Sequence, residues 1–166
     1  MGNKNIGKIN IQNYPEIKND LQLLLNSTSE KDKAAASKEK ENMKLINKHN
    51  KEMKDSNLIE ECLINHIFLR VLEKQARKEI TKEVSQYYIK PNIEIYKQGE
   101  PPGCFYILAN GICEIILNEE KKQILEKGNY FGDTAILFGT NREHTIKTAT
   151  ECYVWVMEKK KILKKL

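Results

Sequence analysis

The sequence predicts an α+β fold in which helices come first and an antiparallel barrel or jelly roll follows. Apolar residues recur at helical spacing between Leu58 and Val84, and the period changes to two after Tyr87. Turn signals then divide the rest of the chain into short apolar segments. Many short strands at this spacing are typical of a rolled or closed antiparallel sheet.

Length and charge narrow the function classes. The 166 residues fit one globular domain with a polar tail. A net charge of +5, without a dense basic block that contains aromatics, argues against nucleic-acid binding. No apolar run approaches the roughly 18 residues of a membrane span, and the polar N-terminus has no secretory signal. We therefore expect a cytoplasmic protein.

The four cysteines fit that compartment. They form no C-x-x-C pair, and their spacing suits neither a zinc site nor a disulfide framework. Each lies in an apolar setting, which predicts small buried thiols in a reducing environment. They are Cys62, Cys104, Cys113 and Cys152.

Residues 1–53 form a polar segment that we expect to be partly helical or disordered. Leu21–Leu25 is a small apolar cluster after Asp20, a plausible helix start. Lysine and glutamate then alternate from residue 30 to 54 around Ala34–Ala36. This composition favours a helix but has almost no apolar face, and no heptad repeat persists.

Gly2 is a candidate lipidation site. It follows the initiator methionine as N-myristoylation requires, but Ile6 stands where that signal favours serine or threonine. The alternative is a plain polar tail. A single myristoyl chain binds membranes only marginally, so we expect membrane association only if Gly2 is acylated.

Residues 54–85 are expected to form helices. Asp55-Ser56-Asn57 supplies capping residues, and Ala76, Ile80 and Val84 lie on one face of the later helix. We expect His66 to be a structural histidine rather than a metal ligand or catalytic base. Residues 86–158 are expected to form the β-roll, and residues 159–166 begin a further amphipathic helix.

One segment carries chemistry. In Phe131-Gly132-Asp133-Thr134-Ala135-Ile136, a Phe-Gly turn leads into a short helical start, and an arginine follows at Arg142. Glycine lets backbone N–H groups approach a phosphate, and arginine pairs with phosphate through a fixed fork of donors. A carboxylate beside an anion site is favourable only if it accepts from a sugar hydroxyl. The pattern therefore indicates a ligand with phosphate and ribose.

This segment resembles the phosphate-binding cassette of cyclic nucleotide-binding domains. That family has Phe-Gly-Glu-x-Ala-Leu followed by Pro-Arg-x-Ala-Thr or Pro-Arg-x-Ala-Ala. Further motifs agree in order across residues 57–163 and are similar to a regulatory domain of cGMP-dependent or cAMP-dependent protein kinase. They are Lys97-Gln98-Gly99-Glu100, Phe105-Tyr106-Ile107, Asn110-Gly111 and the approach from Leu125 to Phe131.

The resemblance implies an eight-stranded antiparallel β-roll with a cassette at residues 131–145, and cGMP or cAMP as ligand. Asp133 would accept from the ribose 2′-hydroxyl, although it is one methylene shorter than the usual glutamate. Thr145 resembles the threonine of cGMP-selective members and so favours cGMP over cAMP as the ligand; the alternative is a β-branched strand residue. The implied ligand-binding residues are Gly132, Asp133, Thr134, Ala135, Arg142, Glu143 and Thr145.

The resemblance also implies a regulatory role in which ligand binding moves flanking helices and controls a protein kinase catalytic domain. Kinase catalytic motifs and a nucleophile–base pair are absent from the sequence, and no catalytic residue, metal or further cofactor is expected. Asp133, Asn141 and His144 depart from the family pattern. The alternative is therefore a degenerate, non-binding fold that serves as a structural or protein-interaction module.

The helix expected at residues 159–166 is short for a family whose C-terminal helices close over the ligand. Three arrangements remain open. The ligand binds in an open, weak site, the lid belongs to another chain, or the sequence is part of a larger kinase.

Overall fold

The computed structural model of the protein describes residues 15–16, 19–20, 30–47 and 51–166. Gly2 and the Leu21–Leu25 cluster lie outside these residues. The helices of three residues or more are α1 (Glu30–Lys40), α2 (Met53–Asn65), α3 (Lys74–Glu83), α4 (Asp133–Phe138) and α5 (Lys159–Lys165), with a 3-10 turn at Leu69–Val71. Within the described ranges, none of the helices combines the length and the apolar character needed to cross a membrane.

Antiparallel strands form two sheets. The strands are β1 (Met43–Asn47), β2 (Ser85–Ile89), β3 (Glu94–Tyr96), β4 (Cys104–Asn110), β5 (Cys113–Leu117), β6 (Glu120–Leu125), β7 (Tyr130–Phe131), β8 (Thr145–Thr148) and β9 (Cys152–Glu158). A five-stranded sheet has the order β1-β2-β9-β4-β7, and a four-stranded sheet has the order β3-β8-β5-β6. The strands from β2 to β9 are the eight of the expected roll, so the predicted fold class is confirmed.

The central strands β4 and β9 are buried on both faces, as their apolar composition requires. Side chains alternate along a strand, so Tyr106 and Val154 join the core between the two sheets. Phe105 and Trp155 join a second core beneath the helices. The helical residues of that second core include Ile59, Leu63, Ile80, Ile162 and Leu163. Both cores depend on one β4–β9 register, in which Ile107 pairs with Trp155.

The polar N-terminal segment has more structure than its composition suggests. Strand β1 pairs with β2, with Met43 opposite Ile89. Helix α1 buries two alanines, and a Cβ on Gly103 would meet the backbone of Ala35 at 2.6 Å. Because this contact needs small side chains rather than an apolar stripe, helical periodicity does not reveal it. Residues 30–40 are thus helical, one of the two expected states, but strand β1 and the buried face of α1 were not expected.

Helix α2 begins earlier than the capping residues suggest. Its N-cap is Glu52, which makes no side-chain capping bond, and Asp55 lies in the first turn. An acidic residue there interacts favourably with the amino end of the helix dipole. The sequence Asp55-Ser56-Asn57 is therefore inside the helix rather than before it.

The cysteines behave as expected. All four are free and buried. Burial raises the pKa of Cys62 to about 11, as an apolar environment disfavours a thiolate. Sequence spacing did not indicate that Cys113 and Cys152 would meet, yet their Sγ atoms lie 3.7 Å apart, with each cysteine at the start of its strand, β5 or β9.

Two glycines with left-handed backbone provide a matched test of packing. Gly111 has φ +101° and Gly99 has φ +90°. A Cβ on Gly111 would meet the Glu151 carbonyl oxygen at 2.3 Å, whereas one on Gly99 would meet nothing within 4 Å. Each alanine variant should lose about 1–2 kcal/mol to the backbone conformation. Gly111→Ala should lose about 1–3 kcal/mol more, from overpacking. Denaturant unfolding checks this, and equal losses would contradict the close approach of Glu151 to Gly111.

Candidate functional site

A cavity of about 190 Å³ opens beside the β7–α4 turn. It gathers six of the seven predicted ligand-binding residues from the cassette, and the walls also include Tyr96, Tyr130 and Phe131. The six are Gly132, Asp133, Thr134, Ala135, Arg142 and Glu143. The roles assigned to these residues stay predictions, but their placement brings an arginine, a carboxylate and a glycine turn to one opening.

The turn at Gly132 requires glycine for two reasons. Its φ is +82°, in the left-handed region. A Cβ there would lie 2.8 Å from the Cys104 carbonyl oxygen and 3.1 Å from Nη1 of Arg142. Ala135 is 3% exposed and lines the cavity with a small side chain. Helix α4 has only six residues. For an anion in the cavity, we therefore expect the backbone amides of its first turn to matter more than the helix dipole.

The backbone of Arg142 is fixed by the Lys97–Glu100 turn. The Arg142 amide donates to the Glu100 carbonyl at 2.8 Å, and the Gly99 amide donates to the Arg142 carbonyl at 2.8 Å. This reciprocal pair gives a structural reason for the Gln-Gly-Glu motif to accompany the arginine. Two loops far apart in sequence thereby hold one side chain at the cavity.

The Arg142 guanidinium is buried and already bonded. Its side chain is 1% exposed. Nε donates to Glu39 Oε1 at 3.1 Å, and Nη2 donates to the two carboxylate oxygens at 2.8 and 3.1 Å. Nη2 also donates to the Cys104 carbonyl and Nη1 to the Gly132 carbonyl, both at 2.7 Å. The ring centroid of Tyr96 lies 3.9 Å from the guanidinium carbon, a cation–π contact.

Glu39 comes from helix α1 and has four partners. Besides Arg142, its carboxylate accepts from the Gly103 amide at 3.2 Å, the Cys104 amide at 2.8 Å and the Tyr106 hydroxyl at 2.8 Å. Sequence reasoning missed it, because Glu39 lies in an alternating run of lysine and glutamate. Nothing in that run distinguishes the one carboxylate that is buried.

Burial and ion pairing shift the pKa values of Glu39 and Arg142 in opposite directions. Burial raises the pKa of the Glu39 carboxyl, while the charge of Arg142 and hydrogen bonds from Tyr106 and Gly103 act against that rise. Burial alone would lower the pKa of Arg142, but the charge of Glu39 holds it above its ordinary value. Burial also raises the pKa of Tyr106 well above its usual range, so its hydroxyl keeps the proton that it donates.

Asp133 is also bonded within the chain. Its Oδ2 lies 2.8 Å from Nε2 of His66, which is fully buried. Nδ1 of His66 accepts from the amides of Phe68 at 3.0 Å and Leu69 at 3.1 Å. Since Nδ1 accepts twice, the ring hydrogen is assigned to Nε2, which donates to Asp133. The expectation of a structural histidine holds, but it did not include this link to the cassette.

Thr145 is the predicted residue that the cavity does not include. It begins β8, where Ile146 and Thr148 are the buried residues. Its Oγ1 accepts from the Gln98 amide at 2.9 Å.

Glu143 and His144 both line the cavity. Among the described residues, no group of three or more histidine, cysteine, aspartate or glutamate side chains is arranged to hold a metal ion.

Comparison with known proteins finds a family match in the second half of the chain. Residues 87–166 match the family model described as Cyclic nucleotide-binding domain. The cGMP-dependent protein kinase of Plasmodium berghei is 36% identical over 84 residues, which are 49% of this chain and 10% of that kinase. The cAMP-dependent protein kinase type II regulatory subunit of Drosophila melanogaster is 23% identical over 99 residues, 60% of this chain and 26% of the subunit.

A solved structure has the same fold. The regulatory domain of Toxoplasma gondii PKA with cAMP aligns with a TM-score of 0.62 at 16% identity, over 70% of this chain and 46% of that chain. The similarity extends beyond residues 87–166, since 70% of the chain exceeds the part that the family model matches.

Two substitutions at His66 distinguish its bond to Asp133 from its bonds to the Phe68 and Leu69 amides. An asparagine oxygen can replace Nδ1 as acceptor for the Phe68 and Leu69 amides, whereas a glutamine amide reaches toward Asp133 and leaves those amides unpaired. We expect His66→Gln to lose about 1–3 kcal/mol more stability than His66→Asn, the cost of an unpaired buried donor. Thermal and denaturant unfolding of both variants check this. A smaller loss for His66→Gln would show that the bond to Asp133 matters more than the amide contacts.

Proposed function

Because residues 87–166 match the family model of cyclic nucleotide-binding domains, we propose that this protein is a regulatory module that binds cGMP or cAMP at the cassette of residues 131–145. The observation that carries the proposal is the convergence of Arg142, Asp133 and the Gly132 turn on one cavity. These groups suit phosphate and ribose, the parts that cGMP and cAMP share.

The proposed pose of the nucleotide follows from the hydrogen-bond donors of the site that are still free. Of the five N–H groups of arginine, one on Nη1 has no bond to Glu39, Cys104 or Gly132, and Gly132 and Arg142 share the cavity wall. Phosphate would lie there, against the amides that follow Gly132 and beside the small Ala135. Ribose would present its 2′-hydroxyl to Asp133.

The size of the cavity bears on affinity. Its volume of about 190 Å³ lies below the roughly 300–1,000 Å³ of typical ligand sites. The cavity therefore suits the phosphate and ribose, with the base extending beyond its mouth. An uncovered base loses burial, so we expect modest affinity unless another segment or chain closes over it.

A physical link joins the cassette to the helices. His66 follows α2 and is bonded to Asp133, and the ring of Phe68 contacts that of Phe138 on α4 at 5.4 Å. If Asp133 turns toward a ribose hydroxyl, its bond to His66 weakens and the α2 end is released from the cassette. Such a shift in helix position is how the module would control an effector.

A protein kinase catalytic domain is the proposed effector. The Plasmodium berghei and Drosophila melanogaster relatives are named as a cyclic nucleotide-dependent protein kinase and a regulatory subunit of one. The module itself is proposed to be regulatory rather than enzymatic. The one histidine–aspartate pair of the site, His66 with Asp133, has its other ring nitrogen bonded to two backbone amides and thus cannot accept a proton from a nucleophile.

Calorimetric titration with cGMP and cAMP tests the proposal directly. Wild-type protein should bind at least one of them saturably. Arg142→Ala should weaken binding at least about 30-fold, since truncating one partner of a buried charge pair costs roughly 2–5 kcal/mol. Lys97→Ala is the matched control, because Lys97 pairs with Glu94 at 3.6 Å and does not line the cavity.

Arg142→Ala leaves Glu39 buried without its cation, so a fold control is needed. The double variant Glu39→Gln/Arg142→Ala removes both charges and should fold while still failing to bind. Binding of neither nucleotide by folded wild-type protein would refute the proposal and favour the interaction-module alternative.

Thr145→Ala tests the proposed preference for cGMP. That preference rests on Thr145, and the two relatives differ in the nucleotide that their names give. The hydroxyl oxygen of Thr145 already accepts from the Gln98 amide, but the hydroxyl hydrogen is available to a guanine at the cavity mouth. If it makes that bond, Thr145→Ala should weaken cGMP binding about fivefold to tenfold and leave cAMP unchanged. Equal effects on both nucleotides would assign Thr145 a purely structural role.

A further inference from the structure

Arg142, the cation of the proposed phosphate site, is already paired with the carboxylate of Glu39. Glu39 takes Nε and one N–H of Nη2 in a fork, and the Cys104 and Gly132 carbonyls take one N–H each. Four of the five N–H groups of Arg142 are therefore used inside the protein. The remaining one can make a single bond to a phosphate but not a fork.

The Glu39 carboxylate and a ligand phosphate would compete for the same guanidinium group. Both are recognised by arginine through two parallel N–H···O bonds, and both bring negative charge. In a buried site, two anions on one cation repel each other more strongly than in water. A phosphate that reaches Arg142 therefore weakens its bond to Glu39, and the bond to Glu39 weakens phosphate binding.

Apart from Glu39, helix α1 is held by small side chains and ion pairs rather than by a large apolar face. The packing of α1 on the roll depends on Ala35 and Ala36 against Gly103. Ion pairs to the roll and to α5 include Lys38–Glu100, Lys40–Glu158 and Asp32–Lys159. The Lys38 side chain is 67% exposed, so its pair contributes little, whereas the Asp32–Lys159 pair is mostly buried. Glu39 is thus the deepest attachment of α1, and α1 lies outside residues 87–166.

We infer that Glu39 is an internal competitor for the phosphate at Arg142, and that helix α1 is released as a cyclic nucleotide binds. The inference rests on the proposed function. Glu39 lowers the affinity for any ligand with a phosphate and leaves a ligand without one unaffected. Because binding linkage is reciprocal, the ligand loosens α1 by the same factor by which α1 weakens the ligand.

The first experiment compares Glu39→Gln with wild-type protein in calorimetric titrations with cGMP, cAMP and guanosine. Glutamine keeps the size and the acceptor oxygen but removes the charge. The tighter of the two cyclic nucleotides should bind about tenfold more tightly to Glu39→Gln, within the roughly 5- to 150-fold range of coupling between sites. Guanosine, which has no phosphate, should show the same affinity for both proteins or bind neither. Glu41→Gln is the control, since Glu41 is an exposed carboxylate one residue beyond α1.

A second variant displaces α1 without changing any charge. A Cβ on Gly103 would lie 2.6 Å from the backbone of both Ala35 and Ala36, so Gly103→Val should push α1 away and take Glu39 with it. Cyclic nucleotide affinity should rise as it does for Glu39→Gln. In wild-type protein, hydrogen exchange of residues 30–40 should quicken at saturating nucleotide, which requires no substitution.

The outcomes separate the two proposals. Nucleotide binding by wild-type protein with equal or weaker binding by Glu39→Gln would overturn the inference and make Glu39 a positioning residue for Arg142. An equal gain in Glu41→Gln would also overturn it, since the effect would then be long-range charge. Unchanged or slower exchange of residues 30–40 on ligand binding would overturn it too. Absence of nucleotide binding by folded wild-type protein refutes the proposed function, and the inference falls with it if Glu39→Gln and Gly103→Val protein also fail to bind.

Discussion

The buried contact between Arg142 and Glu39 is the interaction on which the arrangement of the site depends. It joins residues 103 positions apart and fixes the orientation of the guanidinium at the cavity. It also satisfies the amides of Gly103 and Cys104 at the start of β4, which would otherwise be buried donors without partners. The pair is weak evidence for net stability, because desolvating two charges costs nearly as much as their attraction returns. Its consequence is positional: helix, strand and cassette share one set of hydrogen bonds.

The contact between His66 and Asp133 is organised in a similar way. In both cases a charged cassette side chain is held by a residue N-terminal to the matched family domain, Glu39 in one case and His66 in the other. Arg142 and Asp133 thus both have partners within the chain. A ligand that takes the place of those partners exchanges one set of bonds for another, and its affinity is then a difference between two sets of contacts. Helices α1 and α2 are the elements that such an exchange would disturb.

Sequence reasoning found the parts of the structure that depend on local pattern. Alternating apolar residues predicted β4 and β9, and the spaced motifs predicted the cassette. It did not find the docking of α1, because Ala35 and Ala36 pack on a glycine and leave no apolar stripe to detect. It did not find Glu39 either, since burial of one glutamate among several is decided by a partner far along the chain. His66 was expected to be structural, but only the fold shows that its second nitrogen faces Asp133.

The competition at Arg142 has a quantitative consequence for how the module responds. If the ligand binds well only when Glu39 has left the arginine, the apparent affinity is the intrinsic affinity reduced by the fraction of molecules in which α1 is undocked. An undocked fraction of about one in ten lowers the affinity about tenfold, a free-energy difference of about 1.4 kcal/mol. That difference is similar to the contribution of a few surface ion pairs such as Lys38–Glu100 and Lys40–Glu158. Changes to these ion pairs, whose residues do not line the cavity, are therefore sufficient to set the nucleotide concentration at which the module responds.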